Sequence, residues 1–324
     1  TLTELYTRYG FHAALRELQG NGSANAGASV GNQRSETGRP AANLHAASPA
    51  PAEALDPALS IKGNYEAVLT SAQLGQWAQR LREAPLVSFD TETDALDPMQ
   101  ANLVGISLSV ESGSAAYIPI AHNYPGVPLQ LPMAEVLAAL SPILCDPAKP
   151  KVGQHGKYDL HVLRRHGLVV QGYREDTMLE SFILNSGGQR HDMDSLAERY
   201  LGYSTIRFAD VAGKGAKQIT FDQVALEEAT AYAAEDADIT LRLHQVLSRK
   251  LAAEPSLQRV YREIEIPLVP VLERMEAGGV SIDMVELRQQ SSDLSQRMMK
   301  AQNQAHQIAG RIFNLDSPKQ LGAL

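Results

Sequence analysis

The stretch Leu86-Val87-Ser88-Phe89-Asp90-Thr91-Glu92-Thr93-Asp94 closes an apolar, strand-forming run with two carboxylates, Asp90 and Glu92. The turn at Ala84-Pro85 feeds a strand over residues 86–90. Side chains on a strand alternate between faces, so Asp90 and Glu92 project to the same side. Two carboxylates confined together repel, and one of them tends to keep its proton. A divalent cation removes that penalty, and hard oxygen ligands suit magnesium or manganese. The plain alternative is a turn cap at Asp90 with a solvated Glu92. Further acids have to decide between the two.

Two more candidates lie downstream. Gly153-Gln154-His155-Gly156-Lys157-Tyr158-Asp159 places an acid in the first turn of a helix that follows a strand, a common position for an acid with no other duty. Tyr232-Ala233-Ala234-Glu235-Asp236 lies within a helix, where Tyr232 and Asp236 share one face, one turn apart. Small Ala233 and Ala234 let that helix approach another element closely. Read singly, the pair is a core tyrosine and a solvated acid. Glu235 and Asp238 point elsewhere around the helix and read as surface charges.

The elements that must position these groups follow from the pattern of apolar residues and breakers. Residues 1–20 read as a helical piece with the stripe Leu5, Tyr9, Leu15 and Leu18. Residues 21–58, rich in Asn, Gly, Ser, Ala and Pro, read as a flexible linker. Tyr65 to Leu69 is a strand, and Ser71 caps a helix carrying Leu74, Trp77 and Leu81. Strands over 102–110 and 115–120 flank a turn at Glu111-Ser112-Gly113-Ser114. A helix over 133–144, a strand at Lys151-Val152-Gly153 and helices over 157–166, 177–184 and 195–201 follow. A long helix starts after Thr220 and runs to about Leu251. Such an order predicts an α/β domain with a mixed sheet flanked by helices. Beyond Pro255 a helix ends at Gly278-Gly279, Val280 to Ile282 reads as a strand, and Asp283 caps a polar helix reaching about Ile308. Ala212-Gly213-Lys214-Gly215-Ala216-Lys217 lacks the Gly-Lys-Ser/Thr ending of a phosphate loop and reads as a mobile loop.

Bulk properties narrow the class. A chain of 324 residues, 44% hydrophobic and 20% charged, can build two domains with cores of their own, and no apolar run is long enough to span a membrane. One cysteine, Cys145, excludes an internal disulfide framework and fits a reducing compartment. A net charge of −8 argues against a protein that coats duplex DNA, without excluding an enzyme that grips a nucleic-acid end.

Asp90, Glu92, Asp159 and Asp236 with Tyr232 together form an ordered set, each acid arising on a different part of one domain or strand end. The set resembles the proofreading type of 3′→5′ exonuclease in the ribonuclease H-like superfamily, the branch with a tyrosine in its third motif. Phe89 to Asp94, Arg190-His191-Asp192-Met193-Asp194-Ser195-Leu196-Ala197-Glu198-Arg199, Tyr232 to Asp238 and Glu265 to Leu272 resemble the bacterial DNA polymerase I family, and the likeness runs from about residue 60 onward. It implies a ribonuclease H-like exonuclease domain over 59–253, preceded by the tail of a 5′ nuclease domain (1–20) and the linker (21–58), and followed by the truncated start of a polymerase domain (254–324). The family's polymerase motifs are absent from these residues.

The resemblance further implies two divalent cations, Mg2+ or, in its place, Mn2+ or Zn2+. Asp90 would bridge both, Glu92 and Asp236 complete one site, Asp159 serve the other, and Tyr232 orient the attacking water. Leu96 and Phe208 would lie against terminal bases, unless both are simply core. Gln154, His155, Tyr158 and Arg190 would touch phosphates or sugar. Lys157, Arg164 and Arg165 could steer DNA or form a solvated helix face. Single-stranded or frayed 3′ ends of DNA are the implied partner, and a cytoplasmic, nucleoid-associated bacterial monomer the implied setting. An RNA-trimming nuclease with the same acids and an inactive DNA-holding module are the competing readings. The family's usual Asn and Leu are replaced here by His155 and Gly156. His155 falls close to the N-cap of the helix near Lys157, where Asn accepts from free amides better than His.

Overall fold

A computed structural model describes residues 63–187 and 189–324; the readings for 1–20 and 21–58 lie outside the described residues. Six strands form one mixed sheet: β1 (Asn64–Ala67), β2 (Val87–Thr93), β3 (Leu103–Glu111), β4 (Ser114–Pro119), β5 (Lys151–Gly153) and β6 (Tyr173–Asp176), in spatial order β1-β4-β3-β2-β5-β6. β2 runs antiparallel to β3 and parallel to β5. β6 has no counterpart in the sequence reading, because Tyr173-Arg174-Glu175-Asp176 carries three polar side chains in four residues.

Strand alternation assigns the two faces of the sheet. Val87 and Phe89 of β2, Ile106 and Leu108 of β3, and Ala116 and Ile118 of β4 are buried with Leu74, Trp77 and Leu81 of α1 (Ser71–Glu83), Val136, Leu140 and Ile143 of α2 (Met133–Leu144) and Leu163 of α3 (Lys157–Arg165). The alternate positions Ala115 and Tyr117 of β4 are buried with Phe221, Ala229, Ala233 and Ala234, the last three from the long helix α7 (Leu226–Ala252). Small side chains on both partners bring α7 close enough for Ser88 Oγ to donate to the Ala237 carbonyl at 2.8 Å. Between these lie α4 (Thr177–Leu184), α5 (Met193–Leu201) and the single turn α6 (Phe208–Val211).

Several local expectations change. Thr70, not Ser71, caps α1, through reciprocal bonds with Gln73. α7 begins at Leu226, after a short 3-10 turn at Phe221–Gln223, because Val224 and Ala225 stay extended. The presumed mobile loop at 212–217 contains a 3-10 turn at Gly215–Lys217. Val280 to Ile282 pairs with no strand among the described residues.

After α7 come α8 (Pro255–Val260), a π-helical turn (Tyr261–Glu265) and α9 (Ile266–Gly278). α9 fastens to α3 through ions: Lys157 bonds Glu276, His161 Nε2 lies 2.9 Å from Glu276, and Arg164 forks onto Glu273. These two cations are therefore committed to Glu273 and Glu276 rather than free to steer a nucleic acid, while Arg165 donates to the Ala101 carbonyl. α10 (Met284–Ala309) carries no buried residue, and α11 (Pro318–Leu321) follows it. Among the described residues no helix is long and apolar enough to cross a membrane.

Candidate active site

The alternation that buries Val87 and Phe89 on one face sends Ser88, Asp90 and Glu92 toward α7. There α7 presents Tyr232 and Asp236, one turn apart. Carboxylate oxygens of Asp90, Glu92 and Asp236 all lie within 4.8 Å of one another. Glu92 is buried, whereas Asp90 and Asp236 keep partial exposure, so the cluster opens to solvent.

Asp159 reaches the same place from the opposite face. β5 is three residues long and pairs with β2 only at Val87 and Ser88. Past that point the β5-side edge of β2 has no strand beside it, and a backbone amide there needs another acceptor. Asp159, 3% exposed in the first turn of α3, supplies it: its Oδ1 accepts from Thr91 N at 3.0 Å and from Thr91 Oγ1 at 2.5 Å. Thr91 escaped the sequence reading. The available signal was its position, a hydroxyl between two acids on the strand's other face.

The electrostatics are those of a site short of positive charge. Burial holds the carboxyls of Asp90, Glu92, Asp159 and Asp236 well above the usual carboxylate range, and neighbouring carboxylates push them further. Among the described residues, no Lys or Arg is a hydrogen-bonding partner of these acids, and Glu92 Oε1 has no partner. A deficit of cations with an orphaned buried oxygen fits divalent metal ions, and the donors are all hard oxygens. Tyr232 is hydrogen-bonded to Asp236, and burial with the nearby carboxylates raises its phenol pKa far beyond the ordinary value.

The remaining predicted residues divide. Phe208, 37% exposed, stacks on Phe221 at 6.3 Å and meets Tyr232 edge-on at 6.2 Å, so it stands beside the acids rather than in the core. Leu96 is 97% exposed, which also excludes a core role. Tyr158 hydroxyl bonds Thr93 Oγ1 at 2.5 Å and the Ala95 carbonyl at 2.7 Å, tying down the chain just before Leu96. Gln154 is held by Thr177 and donates to the His191 carbonyl at 2.8 Å. Arg190 is exposed and pairs with Asp192 at 2.8 Å, away from the acids in its bonding. His155 directly precedes the N-cap, which is Gly156, and is the one non-glycine residue at positive φ, 57°, among the described residues.

Glu235 and Asp238 are buried, contrary to their reading as surface charges. Glu235 accepts from Tyr203 Oη and Ile206 N; Asp238 accepts from Arg242, Tyr65 and Gly113. A helix with apolar alanines on one side and a second packed neighbour on the other has no solvent face to offer them. A second acidic group, Glu175, Glu180 and His244, brings its ligand atoms within 4.8 Å. There Arg262 and Tyr261 hold Glu175, and His244 sits 2.8 Å from Glu180.

A mixed sheet whose central strand turns its acids toward a helix packed across it is the ribonuclease H-like arrangement. The family model described as 3′-5′ exonuclease matches residues 65–252, and the chain belongs to that family. Among curated proteins it is 56% identical over 263 residues to DNA polymerase I of Pseudomonas aeruginosa, covering 81% of this chain and 29% of the relative. It is 42% identical over 275 residues to DNA polymerase I of Rhizobium leguminosarum, covering 80% and 27%. The chain thus spans under a third of the length of these relatives. Two solved structures share the fold. One is the POL domain of Pol1 from M. smegmatis in complex with DNA primer-template and dNTP (TM-score 0.64, 24% identity, 79% of this chain and 40% of that one). The other is Brucella melitensis NrnC (TM-score 0.50, 19% identity, 68% and 95%).

Proposed function

We propose that this chain removes nucleotides one at a time from 3′ ends of DNA, releasing nucleoside 5′-monophosphates, with two divalent cations as cofactors. The observation that carries this is the convergence of four carboxylates from both faces of the sheet with no cationic side chain to neutralise them. Asp90, Glu92 and Asp236 would hold one ion, Asp90 and Asp159 the other; Mg2+ is the expected metal, with Mn2+ or Zn2+ as substitutes. Two such ions, when bound, activate a water and neutralise charge on the leaving oxygen.

The chain's own groups do the rest. Tyr232 keeps its proton across the working pH range, so it orients the attacking water by donating or sharing a hydrogen bond and is no general base. Thr91 fixes Asp159. Phe208 offers a ring on which a terminal base stacks, and exposed Leu96 a further apolar surface, both indifferent to sequence. By the resemblance to the family, Gln154, His155, Tyr158 and Arg190 serve phosphate or sugar. An acidic protein has little electrostatic grip on a duplex, so single strands and frayed ends are the preferred substrate, taken by a monomer. Residues 254–324 belong, on this reading, to the opening of a polymerase domain.

The test is incubation with 5′-labelled single-stranded DNA, with Mg2+ and with excess chelator, beside the same sequence as blunt duplex and as RNA. Mononucleotide release from the 3′ end that needs Mg2+ and favours single-stranded DNA is expected. Undiminished cleavage in chelator overturns the metal assignment; faster RNA trimming overturns the substrate.

A further inference from the structure

The turn that delivers Asp159 contains a glycine that its own backbone does not require. Gly156 is at φ −63°, ψ −4°, ordinary helical values open to any residue. Space is what excludes a side chain: a Cβ at 156 falls 2.7 Å from Tyr173 Cε2 and closer still to its hydroxyl oxygen. Gly153, at the other end of the turn, has the same hydroxyl 3.0 Å from where its Cβ would be. Tyr173 therefore occupies the volume that side chains at both ends of the turn would take.

That hydroxyl is also bonded into the turn. It donates to Asp176 Oδ2 at 2.6 Å and accepts from Gly156 N at 3.2 Å. Asp176, 2% exposed, accepts from Gly156 N at 3.1 Å and from His155 N at 3.3 Å, and also caps α4. The Tyr173 ring meets Phe89 edge-on at 6.2 Å, and Phe89 directly precedes Asp90. One side chain thus braces the strand that carries Asp90 against the turn that, three residues later, yields Asp159. Thr91 and its own backbone amide hold the Asp159 carboxylate, so the position of its helix start decides where that carboxylate lies.

We infer that Tyr173 is a positioning residue for Asp159: by filling the space beside Gly156 and bonding Asp176, it sets the register of the turn and with it the geometry of the Asp159 half of the metal site. This rests on the two-cation reading above. It also explains why a glycine at 156 and a tyrosine at 173 belong together, each tolerable only with the other.

The experiment is titration of Mn2+ into the full chain, by calorimetry and by the free-Mn2+ electron spin resonance signal, with cleavage and melting measured beside it. The variants are Tyr173→Phe, Gly156→Leu, the pair Gly156→Leu/Tyr173→Ala, and Asp159→Ala as control. Tyr173→Phe removes only the hydroxyl; the weaker of two Mn2+ sites is expected to lose affinity about five-fold, the effect of one hydrogen bond, with saturating Mn2+ restoring cleavage and melting little changed. Gly156→Leu is expected to weaken that site further, and the pair to recover most of the loss, a non-additive result that independent sites do not give. If Gly156→Leu fails to fold while the pair folds, the volume exchange is shown directly. Wild-type Mn2+ affinity in Tyr173→Phe, or additive losses in the pair, overturns the inference. An Asp159→Ala variant that still binds two Mn2+ refutes the two-cation reading itself, independently of Tyr173.

Discussion

α7 carries buried acids on two sides, and they live under opposite conditions. Asp238 is sealed, with both oxygens bonded: two nitrogens of Arg242 at 3.0 and 2.7 Å, the Tyr65 hydroxyl at 2.8 Å and the Gly113 amide at 2.8 Å. Two positions earlier, Asp236 has Tyr232 for a partner, and the Glu92 facing it leaves an oxygen unbonded. Burial of a charge is costly unless it is paired and hydrogen-bonded. Asp238 satisfies that condition from within the chain, as does the Glu175–Arg262 pair, while Glu235 is hydrogen-bonded by Tyr203 and Ile206. Among the described residues the acids around Asp90 have no Lys or Arg bonded to them, which is the arrangement a bound cation would complete. The difference separates carboxylates that hold the fold from carboxylates that await a ligand, without reference to any motif.

Substitution on the two sides tests the division most strongly. Asp90→Ala should lower metal-dependent cleavage by at least about 10³-fold, since it removes a ligand shared between ions. In chelator the same variant should melt no lower than the wild type, because an uncompensated buried carboxylate has been deleted. A fall in the metal-free melting temperature would place Asp90 with the structural acids. Asp238→Ala should do the reverse: destabilise by about 3–5 kcal/mol, as Arg242 loses its buried carboxylate, while folded protein at low temperature still cleaves. Melting like the wild type would erase the contrast.

Acid–base behaviour sharpens it further. The folded-state pKa values of Asp90, Glu92, Asp159 and Asp236 lie above their ordinary values of 3.8 and 4.5. For acids raised in this way the folded state binds more protons than the unfolded one. Their contribution is therefore fully present below the unfolded values and is lost as pH rises toward the folded ones. Metal-free protein should lose melting temperature from about pH 4 upward on their account, and saturating Mg2+ should flatten that slope. A slope identical with and without Mg2+ would detach the shifts from the metal site. The smallest effect is expected at His155→Asn. Asn tolerates the left-handed conformation at φ 57° better than His, a difference of about 0.5–1 kcal/mol in melting, with cleavage unchanged. A rate lowered a hundredfold would instead give His155 a catalytic duty.

Much of this was readable before the fold was known. Period-two patterning in β2 through β4 and the breaker residues around them delivered the sheet, and the spacing of Asp90 and Glu92 put both on one face. What stayed hidden depended on neighbours far along the chain. Asp238 looks like Asp236 in sequence, but Arg242 one turn on together with Tyr65 and Gly113, more than a hundred residues away, make it structural. β6 is legible as a strand only once β5 stands beside it, because its side chains are polar. The stabilising argument for Asn at 155 survives on different ground: the backbone of His155 is left-handed, a property no propensity of histidine announces.

The ionic grip of α9 on α3 has a consequence for how the molecule breathes. α3 begins two residues before Asp159, and three of its side chains reach across to Glu273 and Glu276. Helices joined this way open together rather than separately, so their amide hydrogens should exchange with solvent at one shared rate, slower than either could reach alone. Salt, which weakens ion pairs at partly exposed sites, should hasten that exchange in both helices while leaving α7 untouched. The acidic cluster around Asp90 then inherits part of its stiffness from residues that lie beyond the 65–252 stretch matched by the exonuclease family model.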